Sequence, residues 1–272
     1  MQPHSHTFGE MFASAWRHRD LLMRLAHREV AGRYKGSMGG IGWALLTPLI
    51  MLTVYTLVFG VIFESRWAGI ADNHFAFAAV LFSGQLVFGL FAECVTRGPR
   101  LILERPEFVK KVVFPLEILP WVTLSNALFH AFVCVILLLP AIALVFGSVP
   151  VTAILLPIVL LPVMVLGLGA GWLLGALGVY LRDIEQLVGL IISALMFLSP
   201  VFYPLDRLPS GLAAVLALSP LAITIEATRD VLIWGRMPDF ASLAMHFVVA
   251  SVIAWGGFAW FQKTRRGFAD VL

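Results

Sequence analysis

Four ionisable side chains lie inside long apolar stretches of this chain and are the first candidates for chemistry: Glu93, Glu117, His130 and Glu226. A proton-coupled carrier usually holds an inward-facing carboxylate near the middle of the bilayer. Glu93 and Glu117 fall instead near the ends of their apolar stretches. Asn126 shares a helix face with His130, four residues away. Hydrogen bonds between neighbouring helices explain this pair better than a proton relay does.

Motifs that would give the chain an enzymatic activity of its own are absent from the sequence. It contains no G-x-x-x-x-G-K-[ST] loop for nucleotide phosphates, no H-E-x-x-H and no G-x-S-x-G. The two cysteines, Cys94 and Cys134, both fall in apolar segments, which indicates small core residues and not a disulfide or a metal pair. We therefore expect no catalytic residue, no metal site and no cofactor on this chain.

The elements that position these residues are predicted to be membrane helices. Of the 272 residues, 60% are hydrophobic and 13% are charged, whereas a soluble domain carries about 25% charged residues. Residues 41–63 contain no charged residue and no histidine, and roughly 20 apolar helical residues cross a bilayer. The sequence predicts an all-α integral membrane protein with six spans, approximately at 41–63, 75–96, 115–147, 151–181, 187–203 and 241–261.

The orientation of these spans follows from lysine and arginine, which are enriched in cytoplasmic loops. Four segments predicted to lie on one side hold 15 of the 19 basic residues: 1–40, 97–111, 182–185 and 262–272. Both termini are therefore predicted to be cytoplasmic. We divide the chain into a cytoplasmic segment, 1–40, and one membrane domain, 41–272. The net charge of +3 fits orientation in a membrane better than binding to nucleic acid.

Two cytoplasmic segments mix apolar and charged residues. Residues 8–30 place apolar side chains on one helical face and charged ones opposite, so we expect a helix along the membrane interface, either as a simple anchor or with a further role. The second segment, 97–111, interleaves its charges with apolar residues: Leu101, Ile102, Leu103, Phe108 and Val109. These fit either a short helix presented to a cytoplasmic partner or a segment that dips into the bilayer edge.

On the opposite side, residues 199–240 form neither a clean span nor a soluble loop. Prolines punctuate this region, and the apolar runs 213–218 and 223–234 are too short to cross a bilayer. Irregular backbone at membrane depth is tolerated only against protein or a water-filled cavity. We expect two re-entrant half-helices, with Glu226, Arg229 and Asp230 pairing with one another.

Four motifs follow one another in order along nearly the whole chain: Arg28-Glu29 with Arg33-Tyr34-Lys35-Gly36-Ser37, Gly40, Trp43 and Leu45-Leu46-Thr47-Pro48-Leu49; Tyr180-Leu181-Arg182-Asp183-Ile184; Ser199-Pro200-Val201-Phe202-Tyr203-Pro204; and Ser219-Pro220-Leu221 before Glu226 and Arg229. Together they resemble the permease subunits of polysaccharide ABC exporters. These are ABC-2 type membrane proteins that export O-antigen, capsule or teichoic acid chains.

The resemblance implies a role for each region. Residues 8–30 would begin an interface helix beside a nucleotide-binding subunit, with these contact residues: Phe12, Trp16, Arg24, Arg28, Arg33 and Tyr34. Residues 97–111 would form a coupling helix in a groove of that ATPase, with a second contact at 182–185: Arg97, Arg100, Leu101, Glu104, Phe108, Lys110, Arg182, Asp183 and Glu185. Residues 204–240, with Tyr203, would form a periplasmic gate: Tyr203, Pro204, Ser219, Pro220, Glu226 and Arg229. Aromatic residues would line a channel between the first and fifth spans of two copies: Tyr55, Phe59, Phe88, Phe91, Phe197 and Phe202.

The resemblance therefore implies the transmembrane subunit of an ATP-driven exporter in a bacterial inner membrane. Two copies of this chain and two ATPase subunits would form the complex, with ATP and Mg bound by the ATPase. The cargo would be a lipid-linked polysaccharide, and membrane lipid would surround the complex. The alternatives are an ABC-2 exporter of a small hydrophobic substrate or lipid, a membrane enzyme acting on lipid-linked glycans, and a membrane anchor that transports nothing.

Overall fold

The structure, a computed structural model, describes residues 7–36, 39–40, 42–62, 67, 70, 73–110, 114–181, 183–205, 209, 211, 216 and 219–272. The regular elements among these residues are all helices. In chain order the α-helices are α1 (Phe8–Arg17), α2 (Arg19–Tyr34), α3 (Gly42–Tyr55), α4 (His74–Arg97), α5 (Pro106–Lys110), α6 (Leu119–Phe146), α7 (Leu156–Tyr180), α8 (Ile184–Leu198), α9 (Pro220–Arg229), α10 (Phe240–Thr264) and α11 (Phe268–Val271). Two π-helical turns, Thr56–Ile62 and Asp230–Trp234, continue α3 and α9, and short 3₁₀ turns include Gly98–Arg100 and Leu116–Ile118.

Five helical stretches are long and apolar enough to cross a membrane: Gly42–Phe59, His74–Arg100, Leu116–Phe146, Val151–Tyr180 and Phe240–Val271. They coincide with the first four predicted spans and the sixth, so the all-α membrane fold class is confirmed. The predicted fifth span, 187–203, corresponds to α8 and the bend that follows it. Since α8 has 15 residues, it covers about 22 Å, which is less than the roughly 30 Å hydrocarbon core. The count of six spans stays a prediction.

α4 is the central helix of the fold and is buried along most of its length. It packs against α6 and α7, and also against α8 and α9. Asn73 caps its first turn, since its side chain accepts hydrogen bonds from the backbone N–H groups of Phe75 and Ala76. Because the helix is enclosed on most sides, the polar residues near its C-terminus, Glu93 and Arg97, lie in the middle of that end of the bundle.

α7 and α10 form the closest helix pair. A Cβ atom on Gly169 of α7 would lie 2.6 Å from the Cα atom of Ala254, and a Cβ on Gly257 of α10 would overlap the carbonyl group of Gly169. Small residues at such a crossing let two membrane helices approach until their backbones touch. This contact fixes α10, and with it the C-terminal residues, against the core.

The amphipathic segment predicted as one helix over 8–30 is instead two helices that meet at His18. Here the backbone leaves the helical conformation (φ −108°, ψ 23°), and both the N–H and the ring Nδ1 of His18 lie within 3.0 Å of the Ser14 carbonyl oxygen. The bend lets α1 pack beside the turn Leu116–Ile118 while α2 packs along α6. α1 is amphipathic as predicted, and the apolar side chains of Phe8, Phe12 and Trp16 are exposed.

The apolar helices α3 and α8 lie at the edge of the fold. α3 buries only Ala44, and α8 buries only Val188 and Ile192. Lipid or another helix can cover such faces equally well. Of the two half-helices predicted within 204–240, the second corresponds to α9 and its π-helical turn, whereas the first, over 213–218, falls almost entirely outside the described residues.

Candidate functional site

Glu29 of α2 is the centre of an ion-pair group at the end of the bundle where α4 finishes. Its carboxylate accepts hydrogen bonds from Arg97, at the end of α4, and from Arg105, whose Nη2 lies 2.7 Å from Oε2. The three side chains are mostly buried, with 16%, 33% and 20% of their surface exposed. Charge-assisted hydrogen bonds are stronger in such an environment than in open water. Glu29 therefore fastens the interface helix to the segment predicted to couple to an ATPase.

Glu93 of α4 is the centre of a second group beside the first. Its Oε1 accepts hydrogen bonds from Arg33 at 2.6 Å and from Asn126 at 3.1 Å, and its Oε2 lies 2.7 Å from Nδ1 of His130. The hydroxyl of Tyr34 lies 2.9 Å from Nε2 of the same histidine, and burial raises the pKa of Tyr34, so it stays protonated at neutral pH. The hydrogen bonding expected of Asn126 and His130 is confirmed, with Glu93 as their shared partner.

A third pair joins the turn after α4 to α8. The Nε atom of Arg100 lies 2.5 Å from Oε2 of Glu185, and Nη2 of the same arginine contacts the other carboxylate oxygen. This two-pronged arrangement fixes orientation as well as distance. Asp183 is exposed at the start of α8, and Arg182 lies outside the described residues. An exposed pair of this kind contributes little to stability, because water solvates both charges.

The segment 97–111 folds back onto the protein between these ion pairs. Leu101 and Ile102 are buried, and the ring of Phe108 stacks on Phe114 with centroids 4.1 Å apart. These side chains pack within the chain, which differs from the expectation that a partner or the bilayer edge must cover them. The exposed residues of the segment are Arg100, Glu104, Pro106 and Glu107. The Lys110 side chain and residues 111–113 lie outside the described part.

A further carboxylate, Glu117, ties the C-terminal end of the chain to α1. It accepts hydrogen bonds from Arg265 at 2.5 Å and from the Ser14 hydroxyl at 3.1 Å. Arg265 also donates to the backbone carbonyl of Phe114 at 2.7 Å. Glu117 is therefore a structural junction between three segments that meet beneath the membrane domain.

Arg229 organises the far end of the membrane domain and is completely buried. Its guanidinium donates to Glu226 at 2.7 Å and to the carbonyl oxygens of Val201 and Val80 at 3.0 and 3.4 Å. It also lies over the ring of Trp67, 4.3 Å from the centroid. Burial lowers the pKa of Arg229 to about 10, so the side chain remains charged at neutral pH. The predicted pairing with Glu226 is confirmed, and Arg229 joins α9 to α4 and to the bend after α8.

The other predicted gate residues all precede this arginine in the sequence. The Tyr203 hydroxyl donates to the carbonyl oxygen of Phe197 at 3.0 Å, which closes the bend after α8, and Pro204 follows it. Ser219 precedes α9, and Pro220 occupies its first turn, where a missing N–H costs nothing.

Four of the predicted channel aromatics form one cluster. Phe202 stacks on Phe59 with centroids 4.5 Å apart, meets Tyr55 edge-on at 5.2 Å and contacts Phe197 at 5.8 Å. The cluster bridges the end of α3 and the end of α8, and Phe197 is 65% exposed. Phe88 and Phe91 lie elsewhere, because α4 buries both in the core of the chain.

A cleft of about 630 Å³ separates α3 from α4 and α6. Its walls are largely apolar, and one end of it holds Arg33, Tyr34, Glu93 and His130. The Glu93 group therefore borders an open space on the side of α3, whereas the Glu29 group borders a separate polar cleft of about 430 Å³. Within the described residues no group of His, Cys, Asp and Glu side chains could hold a metal ion, and Cys94 and Cys134 are unpaired.

Comparison with known proteins places these features in a family. The chain matches the ABC-2 type transporter family over residues 20–233 and belongs to that family. It is 29% identical over 258 residues to the O-antigen export system permease protein RfbA of Myxococcus xanthus, covering 94% of this chain and 96% of that protein. It is 25% identical over 257 residues to a Klebsiella pneumoniae protein of the same name, covering 93% and 95%. It is also similar to the polysialic acid transport protein KpsM of Escherichia coli, with 23% identity over 219 residues, 79% of this chain and 82% of that protein. The resemblance inferred from the motifs is confirmed.

The sequence pattern predicts that several of the ion-paired arginines contact an ATPase, whereas the structure shows their carboxylate partners within the chain. Glu29 and Arg105 were not singled out as site residues. A signal was present: Glu29 and Arg33 follow Leu25 at intervals of four residues, so they continue the face of α2 on which Leu25 and Ala26 are buried. Charged residues on a buried face require partners within the protein.

Proposed function

We propose that this chain is the transmembrane subunit of an ATP-driven exporter of a polysaccharide carried on a lipid. The family and the relatives named as O-antigen and polysialic acid transport proteins support this function. ATP and Mg would bind to a separate ATPase subunit, present in two copies. The cargo would cross the inner membrane of a bacterium.

The observation that carries the proposal is the ion-pair network at one end of the helix bundle. It connects α2, the turn after α4 and the start of α8, which are the three regions predicted to meet the ATPase. A subunit that hydrolyses no ATP itself needs such a rigid connection, because movement supplied from outside must reach the spans. The same end carries most of the basic residues, so we place it and both termini in the cytoplasm.

The transport path would lie between two copies of this chain. We propose six spans, with α8 and the bend through Tyr203 together forming the fifth, and re-entrant helices at the periplasmic exit that include α9. α3 and α8 would face the second copy, since both leave wide apolar faces exposed. The aromatic cluster of Tyr55, Phe59, Phe197 and Phe202 would then border the path, where flat apolar rings offer weak and repeated contacts to a sliding sugar chain.

The test is purification of the tagged chain in mild detergent with identification of the proteins that accompany it. We expect a P-loop ATPase in equal amount. Reversing the charge of two exposed residues, Glu104→Lys with Glu107→Lys, should release it. Phe108 is a poor probe, because its substitution would break the internal stack on Phe114.

The matched control is Arg236→Glu, which reverses one exposed charge on the opposite side. It should leave the ATPase bound. A homogeneous chain with no ATPase would remove the proposed energy source. In the host cell, deletion of the gene should leave lipid-linked glycan inside, and glycan reaching the surface at its normal level would contradict the cargo.

A further inference from the structure

We propose that Glu29 and Glu185 are positioning residues that join one moving turn to two separate helices. The turn is the segment 97–105, which follows α4. Glu29 holds it to the interface helix α2, and Glu185 holds it to α8. The inference rests on the proposed function, since it describes how a push on this turn would reach the membrane.

The contact of Glu29 with the turn, called here the first arm, is the stronger of the two by geometry. Glu29 accepts hydrogen bonds from both Arg97 and Arg105, so it contacts the turn at its beginning and at its end. Its side chain is 16% exposed. A carboxylate with two arginine partners and little water around it cannot leave either partner without a large loss of electrostatic stabilisation.

The second arm, the contact of Glu185 with Arg100, is more exposed. Arg100 is 56% exposed and Glu185 is 38% exposed, yet both carboxylate oxygens of Glu185 are engaged. Arg100 and Glu185 form the charged pair that the structure shows between the turn and the first residues of α8. Loss of this arm should therefore free α8 from the turn while leaving α2 attached.

The charges in this region balance, which argues for an internal connection. Three arginines of the turn, Arg97, Arg100 and Arg105, meet Glu29 and Glu185, and Glu104 lines the same cleft. Arg97 also approaches Glu93, at 3.6 Å. An anion-binding site would leave arginines without carboxylates, whereas here each arginine of the turn has one.

The experiment measures distances by pulsed electron spin resonance in the complex reconstituted in nanodiscs. Spin labels are placed at three exposed positions, Arg28→Cys on α2, Glu107→Cys after the turn and Gln186→Cys on α8. Cys94 and Cys134 are first replaced by alanine. Distances 28–107 and 107–186 are recorded without nucleotide and with Mg-ATP and vanadate.

In the parent protein both distances should stay narrow and unchanged by nucleotide, because the three elements move together. Glu29→Gln should broaden and shift the 28–107 distance while leaving 107–186 intact, and Glu185→Gln should do the reverse with a smaller shift. The double variant Arg100→Glu with Glu185→Arg should restore the narrow 107–186 distance. Asp20→Asn, which neutralises an exposed carboxylate at the start of α2, is the control and should change neither distance.

Unchanged distances in both the Glu29→Gln and the Glu185→Gln variants would overturn the inference, since packing alone would then hold the turn. The broadening is also measurable on the chain without an ATPase. Failure of the ATPase to copurify would therefore refute the proposed function while leaving the test of the two arms intact.

Discussion

Replacing Arg229 by methionine is expected to destabilise the end of the membrane domain that contains α9. Methionine keeps most of the length of the side chain and its contact with the ring of Trp67. It removes the charge and the donors that hold Glu226 and the carbonyl oxygen of Val201. The carbonyl of Val80 loses less, because the Ser83 hydroxyl also donates to it.

The size of the effect follows from what each partner loses. The Val201 carbonyl is left buried without this donor, at a cost of about 1–3 kcal/mol. The cation–π contact with Trp67 contributes up to about 2 kcal/mol at a desolvated site. Glu226 is 36% exposed, so water can replace its lost partner, and the buried methionine recovers part of the loss through apolar packing. We expect a net cost of about 3 kcal/mol, near the lower end of the range for breaking a buried ion pair.

The assay is thermal unfolding of the purified protein in detergent at one fixed heating rate, since unfolding of such proteins is often irreversible. For a chain of this length, about 3 kcal/mol corresponds to a midpoint lower by about 5 °C. Arg229→Lys keeps the charge but lacks the planar guanidinium, so its midpoint should lie between those of the parent protein and Arg229→Met. Arg236→Gln removes an exposed arginine of the same region and should have no effect. A midpoint for Arg229→Met equal to that of the parent protein would refute the reasoning.

Three further substitutions test other parts of the structure in the same assay. Gly257→Ala should lower the midpoint by several degrees, because the added methyl group would overlap the backbone of α7. Gly256→Ala is the control and should leave the midpoint unchanged, since a Cβ atom there meets nothing within 4 Å. Equal midpoints for the two variants would contradict the helix crossing. Burial raises the pKa of Asp230, so the folded state disfavours the charged carboxylate at neutral pH. Asp230→Asn should therefore stabilise the protein at pH 7, and the gain in stability should shrink as the pH falls towards about 4. A gain that does not depend on pH would be evidence against this cause. Glu117→Gln should loosen the C-terminal end by weakening the Arg265 contact, read as faster proteolysis after residue 264, and unchanged proteolysis would show that packing alone holds that end.

Hydropathy predicted the spans well because a bilayer imposes one requirement on every residue between its two faces. The spans at 41–63, 75–96, 115–147 and 151–181 required only that apolar residues continue for long enough. The fifth predicted span, 187–203, extends past the end of α8, because Ser199 and Pro200 end that helix after 15 residues. The break at His18 was not predictable from the pattern, since an amphipathic period passes through it without interruption.

The ion pairs could not be assigned from the sequence for a different reason. Glu29 meets arginines 68 and 76 residues away, and Arg229 reaches a carbonyl 149 residues away. Local spacing says which face of a helix a residue occupies, but the partner depends on how the helices assemble. Pairs within one turn of a helix, such as Glu226 with Arg229 and Glu93 with Arg97, were within reach of local reasoning. The apolar residues of segment 97–111 were misleading for the same reason, because the surface that buries Leu101 and Ile102 comes from distant parts of the chain.

The two ends of the molecule are held by arginines in physically different ways. At the end that holds Glu29 and Glu185, ion pairs between side chains join the helices, and Arg100 is half exposed. At the far end, Arg229 is fully buried and held partly by backbone carbonyls, which cannot rotate away as side chains do. Under the proposed function, the end that receives mechanical work is the end whose helices these ion pairs join, so that they move together. Arg229 then acts as a fixed point about which the neighbouring bend and α9 turn, and opening of the exit must occur around this residue without breaking its contacts.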